Sequence, residues 1–193
     1  MVVMSAQSAD SKRLHPHKFT LWVGIGSIIM MFAALTSAYV VRHSQQNWLE
    51  FDLPKVFWYS TAVIIISSIT MQLSLKAFRE RNRLRHRLLL GITALLGVLF
   101  AVLQISGFYN LYSRGIRIIG EGSNPSASFL GVITGLHVVH VLGGVIALLI
   151  IFIKAYNTRV KTYNSTPLEI LSVYWHFVDI LWIYLFIFLN WAG

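Results

Sequence analysis

The chain has 193 residues, 56% hydrophobic and only 12% charged. A soluble domain carries about a quarter charged residues, so an ordinary water-facing surface is excluded and lipid is the expected solvent. There is no cysteine, which rules out disulfides, zinc-thiolate sites, iron–sulfur clusters and thiolate copper sites in this chain, and the formal net charge is +9.

Residues 1–18 are a polar, basic tail, followed by a single domain over 19–193. The first apolar block, Phe19–Val41, is too long for the core of a secretory signal and reads as a span. The second, Val56–Leu75, follows Pro54. The third, Leu88–Tyr109, comes after a very basic loop. The fourth, Ser128–Ile153, follows the turn-rich stretch Gly120–Ser126. The fifth, Leu168–Trp191, is opened by Pro167. Each has the roughly 20 residues needed to cross a hydrocarbon core, and segments of this length in lipid must be helical to satisfy their own backbone. The expected fold is therefore all-α: a polytopic five-helix transmembrane bundle without internal repeat.

The basic residues are distributed unevenly between the two sides. Lys12, Arg13 and Lys18 precede the first span. Lys76, Arg79, Arg81, Arg83, Arg85 and Arg87 lie between the second and third, and Lys154, Arg159 and Lys161 between the fourth and fifth. The other side has Arg42, Lys55, Arg114 and Arg117. Positive charge stays inside, which places the N-terminus in the cytoplasm and the C-terminus in the periplasm. Trp22, Trp48, Trp58 and Trp191 fall near span ends, as an aromatic belt requires. This charge faces headgroups; the basic, aromatic-interleaved surface of a nucleic-acid binder is missing.

Ionisable groups within a span are costly and are the default functional candidates. Asp10, Glu50, Asp52, Glu80 and Glu121 lie in the tail or loops, whereas Glu169 and Asp179 fall in the fifth span. There Glu169, Ser172, His176 and Asp179 share one helical face, which must be turned toward protein. In the fourth span His137 and His140 share a face, beside Gly131, Gly135, Gly143 and Gly144, whose small size lets a neighbouring helix approach. The expectation is that the last two spans pack with His137 and His140 near His176 and Asp179. Gln104 in the third span reads as interhelical glue. Three imidazoles and a carboxylate could also hold zinc, iron or a bis-histidine haem, so an intramembrane metalloenzyme or haem anchor is the alternative of a different class, and a proton-handling role is a third possibility. A hydrogen-bonded structural network fits the Gly-rich surroundings better.

These residues resemble one family. Tyr174-Trp175-His176-Phe177-Val178-Asp179 followed by Trp182 is similar to the last helix of cytochrome oxidase subunit III. Thr134-Gly135-Leu136-His137-Val138-Val139-His140-Val141 with Gly143-Gly144 is similar to the helix before it. Glu169 fits the acidic residue ahead of the last motif. Leu96-Gly97, Phe100 and Gln104 fit the middle helix, and Ser37-Ala38-Tyr39 the end of the first. Five spans point to the short bacterial form in the plasma membrane. The chain departs from the family at Ile28 and Gly107, where glutamates are usual, so roles tied to those carboxylates do not carry over.

The resemblance implies a subunit of a terminal oxidase that reduces O2 and pumps protons. Haem and copper would sit in partner subunits I and II, with no catalytic residue, metal or cofactor in this chain. Phospholipid would be bound in a cleft against subunit I, the main partner, with subunit II, other small subunits and a possible respiratory supercomplex around it. His137, His140, Glu169, Trp175, His176, Asp179 and Gln104 would hold the bundle and lipid cleft, and Gly135, Gly143 and Gly144 the helix packing. A quinol oxidase subunit III and a nitric-oxide-reductase accessory protein are the related alternatives.

Overall fold

The computed structural model describes residues 16–44, 48, 53–118, 120, 123–157 and 166–192. Five helices follow in chain order: α1 (Pro16–His43), α2 (Val56–Arg79), α3 (Arg83–Ser113), α4 (Pro125–Asn157) and α5 (Thr166–Ala192). Each is long and apolar enough to cross a membrane. Among the described residues there is no strand.

Every helix overruns its expected span. Lys76 and Arg79 close α2, while Arg83, Arg85 and Arg87 open α3. Continuing the helix satisfies backbone groups that a loop would leave to the interface, and the long basic stems carry their charge out to headgroups. α1 likewise begins inside the stretch expected to be tail. Lys12, Arg13, Arg159, Lys161, Asp10, Glu50, Asp52 and Glu121 lie outside the described residues.

Only Glu80, Arg81 and Asn82 separate α2 from α3. Arg81 takes φ +59°, the left-handed conformation that reverses a chain after a helix. Asn82 then caps α3, its side-chain oxygen accepting the Arg85 N–H at 3.1 Å. At α4, Asn124 accepts the Ser126 N–H at 3.1 Å and Pro125 takes the first helical position, where a missing N–H costs nothing.

α2 packs on α3, α3 on α4, α4 on α5, and α5 back on α2, closing a four-helix ring. α1 stands outside it, against α4 and α5, and does not pack on α2 or α3. A seven-residue repeat marks the face that α2 turns to α3 and α5. Phe57, Ile64 and Met71 alternate with Ser60, Ser67 and Ser74, and all six are buried. The serines are small, and their hydroxyls meet Gln104 and His86 of α3 and Trp175 of α5.

Trp175 and Trp182 of α5 fill the interior of the ring. Two glycines make room for the first. A Cβ on Gly97 would lie 2.7 Å from the Trp175 ring and 2.7 Å from Val145, and one on Gly144 would lie 2.9 Å from the same indole. α1 is held by a separate cluster, in which Phe32 and Tyr39 meet Ile133 of α4 and Leu181, Leu185 and Leu189 of α5.

Candidate functional site

The polar face of α5 is directed at α2. Ser172 and Asp179 are buried and His176 is half-buried. His176 binds α2 through both ring nitrogens: Nδ1 lies 2.6 Å from Ser68 Oγ and Nε2 lies 3.1 Å from Gln72 Oε1. An amide oxygen can only accept, so Nε2 carries the proton, Nδ1 is the acceptor, and the Ser68 hydroxyl donates to it. Both Asp179 oxygens are buried without a partner at hydrogen-bonding geometry.

Further fasteners join α2 to α5 and to α3. Trp175 Nε1 donates to Ser67 Oγ at 3.0 Å, and Trp182 Nε1 donates to Thr61 Oγ1 at 3.0 Å. Gln104 of α3 donates to Ser60 Oγ at 2.9 Å, leaving its carbonyl oxygen without a partner. Thr70 and Thr93 hydroxyls meet at 2.9 Å between α2 and α3. Beside the turn, His86 Nδ1 lies 3.1 Å from the Ser74 carbonyl and 3.0 Å from its hydroxyl. Buried indole and amide groups cannot be left bare in an apolar interior, so each of these contacts constrains where a helix can sit.

His137 occupies the meeting point of the remaining helices. It is fully buried, with ring centroids 5.1 Å from Trp182, 5.8 Å from Phe100 and 6.3 Å from Phe32, so α1, α3 and α5 each supply one wall. Neither ring nitrogen has a partner. His140 turns back on its own helix, with Nδ1 2.7 Å from the Leu136 carbonyl. Its backbone carbonyl accepts the Tyr174 hydroxyl at 3.0 Å, an α4–α5 link.

The expected pairing of His137 and His140 with His176 and Asp179 is therefore corrected. α4 and α5 do pack, but the His176 imidazole is drawn off by α2 serine and glutamine side chains, while His137 is walled in by aromatic rings. Among the described residues no three His, Cys, Asp or Glu side chains converge as a metal set would. The glycines also divide differently from the expectation. Gly144 does serve packing, by admitting an indole and not a helix backbone. Gly135 and Gly143 face open space, since a Cβ on either would meet nothing within 4 Å, so neither serves helix packing within this chain. The two departures noted in the sequence also have packing reasons. Ile28 joins the cluster that holds α1, and a Cβ on Gly107 would lie 2.9 Å from the Phe57 ring.

Glu169 sits at the arginine-rich end, partly exposed. One carboxylate oxygen lies 3.5 Å from Lys18 of α1 and the other 3.9 Å from Arg79 of α2. It bridges the two helices that do not otherwise pack on each other. The α2 residues Ser60, Thr61, Ser67, Ser68 and Gln72 are the ones that sequence reasoning missed. Serines recurring every seventh residue between bulky apolar positions were the available signal.

The fold and these contacts define a multi-pass helical membrane protein with several side-chain hydrogen bonds between its spans. The family model described as Cytochrome c oxidase subunit III matches residues 44–193, and the chain belongs to that family, as a subunit of a haem-copper oxidase complex. It is 34% identical over 191 residues to the "Probable cytochrome c oxidase subunit 3" of Nocardia farcinica, covering 93% of this chain and 92% of the relative. It is 30% identical to the "Cytochrome c oxidase subunit 3" of Corynebacterium diphtheriae, with 86% of this chain and 85% of the relative covered. It is also 30% identical to the "Cytochrome bo(3) ubiquinol oxidase subunit 3" of Pseudomonas aeruginosa, with 87% and 81% covered.

Proposed function

We propose that this chain is the non-redox subunit III of a proton-pumping cytochrome c oxidase in a bacterial plasma membrane. The arginine-rich end faces the cytoplasm and the C-terminus the periplasm. The observation that carries the reading is how the intramembrane polar groups are used. His176, Trp175, Trp182 and Gln104 are each bonded to a serine, threonine or glutamine of α2, so they brace the bundle and are not arranged around a shared centre. Haem and copper belong to subunits I and II in this reading, and subunit I is the main docking partner. The chain supports assembly, holds phospholipid against that partner and sustains proton uptake by the catalytic core.

Mass spectrometry of the gently solubilised native complex tests this. The expected result is one copy of this chain with a haem-copper subunit I, a subunit II carrying a cysteine copper motif, and retained phospholipid. Recovery of the chain without an oxidase core overturns the reading. A subunit II lacking the cysteine motif assigns the chain to a quinol oxidase, the reading to which the Pseudomonas aeruginosa relative lends weight.

A further inference from the structure

Three polar groups on facing sides of α3 and α4 have no partner within the chain: the Gln104 carbonyl oxygen, the Thr134 hydroxyl and both ring nitrogens of His137. All three residues are buried. The register of the two helices brings them to one level. A Cβ on Gly97 of α3 would lie 2.7 Å from Val145 of α4, which fixes one point of contact. α3 and α4 are successive spans and run in opposite directions. About two turns on along α3 is Gln104, and about two turns back along α4 is His137, with Thr134 one turn beyond on the same face. The Phe100 and His137 rings, with centroids 5.8 Å apart, keep the same register.

Polar atoms in an apolar interior cost free energy unless they are bonded. Gln104 Oε1 can only accept. A neutral imidazole has one bare nitrogen that accepts, and the Thr134 hydroxyl has a proton to give. One water satisfies all three: it donates to Gln104 Oε1 and to the bare nitrogen of His137, and it accepts the Thr134 O–H. Three bonds is the usual number for a buried water. Room lies directly beside this level. Phe108 follows Gln104 by one turn and Gly131 precedes Thr134 by one, and with Tyr112 and Ser128 they line a cavity of about 690 Å³. Tyr112 is exposed, so the cavity reaches the surface. Water takes about 30 Å³ in the liquid, so it can enter. The cavity walls are mainly apolar and give it little to bond to, whereas the unpartnered groups one turn inward do.

We propose that α3 and α4 hold an ordered water between Gln104, Thr134 and His137, supplied from this cavity. Side-chain hydrogen bonds tie α2 to α3 and to α5. The water supplies a tie of the same kind between α3 and α4. It also accounts for an imidazole walled by Trp182, Phe100 and Phe32, where a phenylalanine would fill much the same space with no polar atom to satisfy.

A cryo-EM map of the intact oxidase containing this subunit, at a resolution that shows water on other buried groups, tests this. The expected result is a density about 3 Å from a His137 nitrogen and from Gln104 Oε1 or Thr134 Oγ1. That density should be lost when Gln104→Leu and Thr134→Val are combined, which removes two of its three partners. A dry contact, with the imidazole nitrogens turned to aromatic faces or bonded to another side chain, overturns the proposal. So does a density that persists unchanged in the double variant. Should that variant fail to assemble, the map of the unsubstituted complex decides by itself. The inference rests on the oxidase reading only for the preparation used. Recovery of the chain without an oxidase core ends that reading, whereas a dry His137 in an intact oxidase ends only this one.

Discussion

The four-helix ring and α1 are built on different principles. In the ring, the Trp175 indole fills a notch cut by two glycines and a row of α2 hydroxyls receives donors from α3 and α5. α1 adheres mainly through apolar contacts, supplemented by the 3.2 Å link between Thr36 and Tyr184 hydroxyls and the Lys18–Glu169 pair. The family-model match begins at residue 44, after α1. In lipid an apolar face gains little by leaving the solvent, because the solvent is also apolar. Shape and hydrogen bonds therefore decide which helices form a fixed unit. The ring has both in quantity, whereas α1 leaves most of its surface for lipid or a neighbouring subunit.

Overfilling the ring should break that contrast most severely. Gly97→Ala places a methyl against Trp175 and Val145 at 2.7 Å each, and we expect a loss of about 1–3 kcal/mol from forced repacking. The same change at Gly24 or Gly26 of α1, where a Cβ meets nothing, should be tolerated or slightly stabilising. Thermal denaturation of the purified complex, read by retention of this subunit, separates the two. Equal damage at both sites would remove the distinction.

Removing a single acceptor should come next. Ser67→Ala strands the buried Trp175 N–H, at a cost of about 1–3 kcal/mol. A chemical-denaturation midpoint measured in detergent checks it. An unchanged midpoint would mean that the indole is held by its glycine slot alone.

On the α1 side, Thr36→Val removes the Tyr184 link. The expected cost is about 0.6 kcal/mol, typical of interhelical hydrogen bonds in membranes. Protease access at the α1 ends should rise while that of the α2–α3 turn stays constant. Glu169→Gln should have the smallest effect, about 0.3 kcal/mol and fading with salt, since its partners Lys18 and Arg79 are well exposed. Crosslinking between α1 and α2 at their arginine-rich ends, compared at low and high salt, reports it.

Much of this architecture is legible in the sequence because the membrane simplifies the code. About twenty apolar residues must become a helix, so all five helices can be read directly, and the acidic stripe on α5 marks a protein-facing side. Helix ends were harder, since Arg83 and Arg87 look like loop residues until their stems are allowed to reach the headgroups. Pairing was harder still. His137 and His176 look like partners by depth, yet depth carries no information on azimuth, and the α2 hydroxyls that capture His176 belong to the least conspicuous residue type in the chain. The glycines misled for a related reason. Gly144 and Gly143 are adjacent, but one faces Trp175 and the other faces outward, a difference fixed by the turn of the helix and invisible to composition.

The position of the two tryptophans in the chain has a consequence for biogenesis. Both belong to α5, which is synthesised after α3 and α4, and the slot that Trp175 enters is cut by Gly97 of α3 and Gly144 of α4. Without α5, Thr61, Ser67 and Ser68 of α2 lose the α5 side chains they meet, whereas Ser60 and Ser74 keep their α3 partners. The interior of the bundle is therefore completed only when α5 arrives, and helices α2 to α4 alone lack the indoles that fill it.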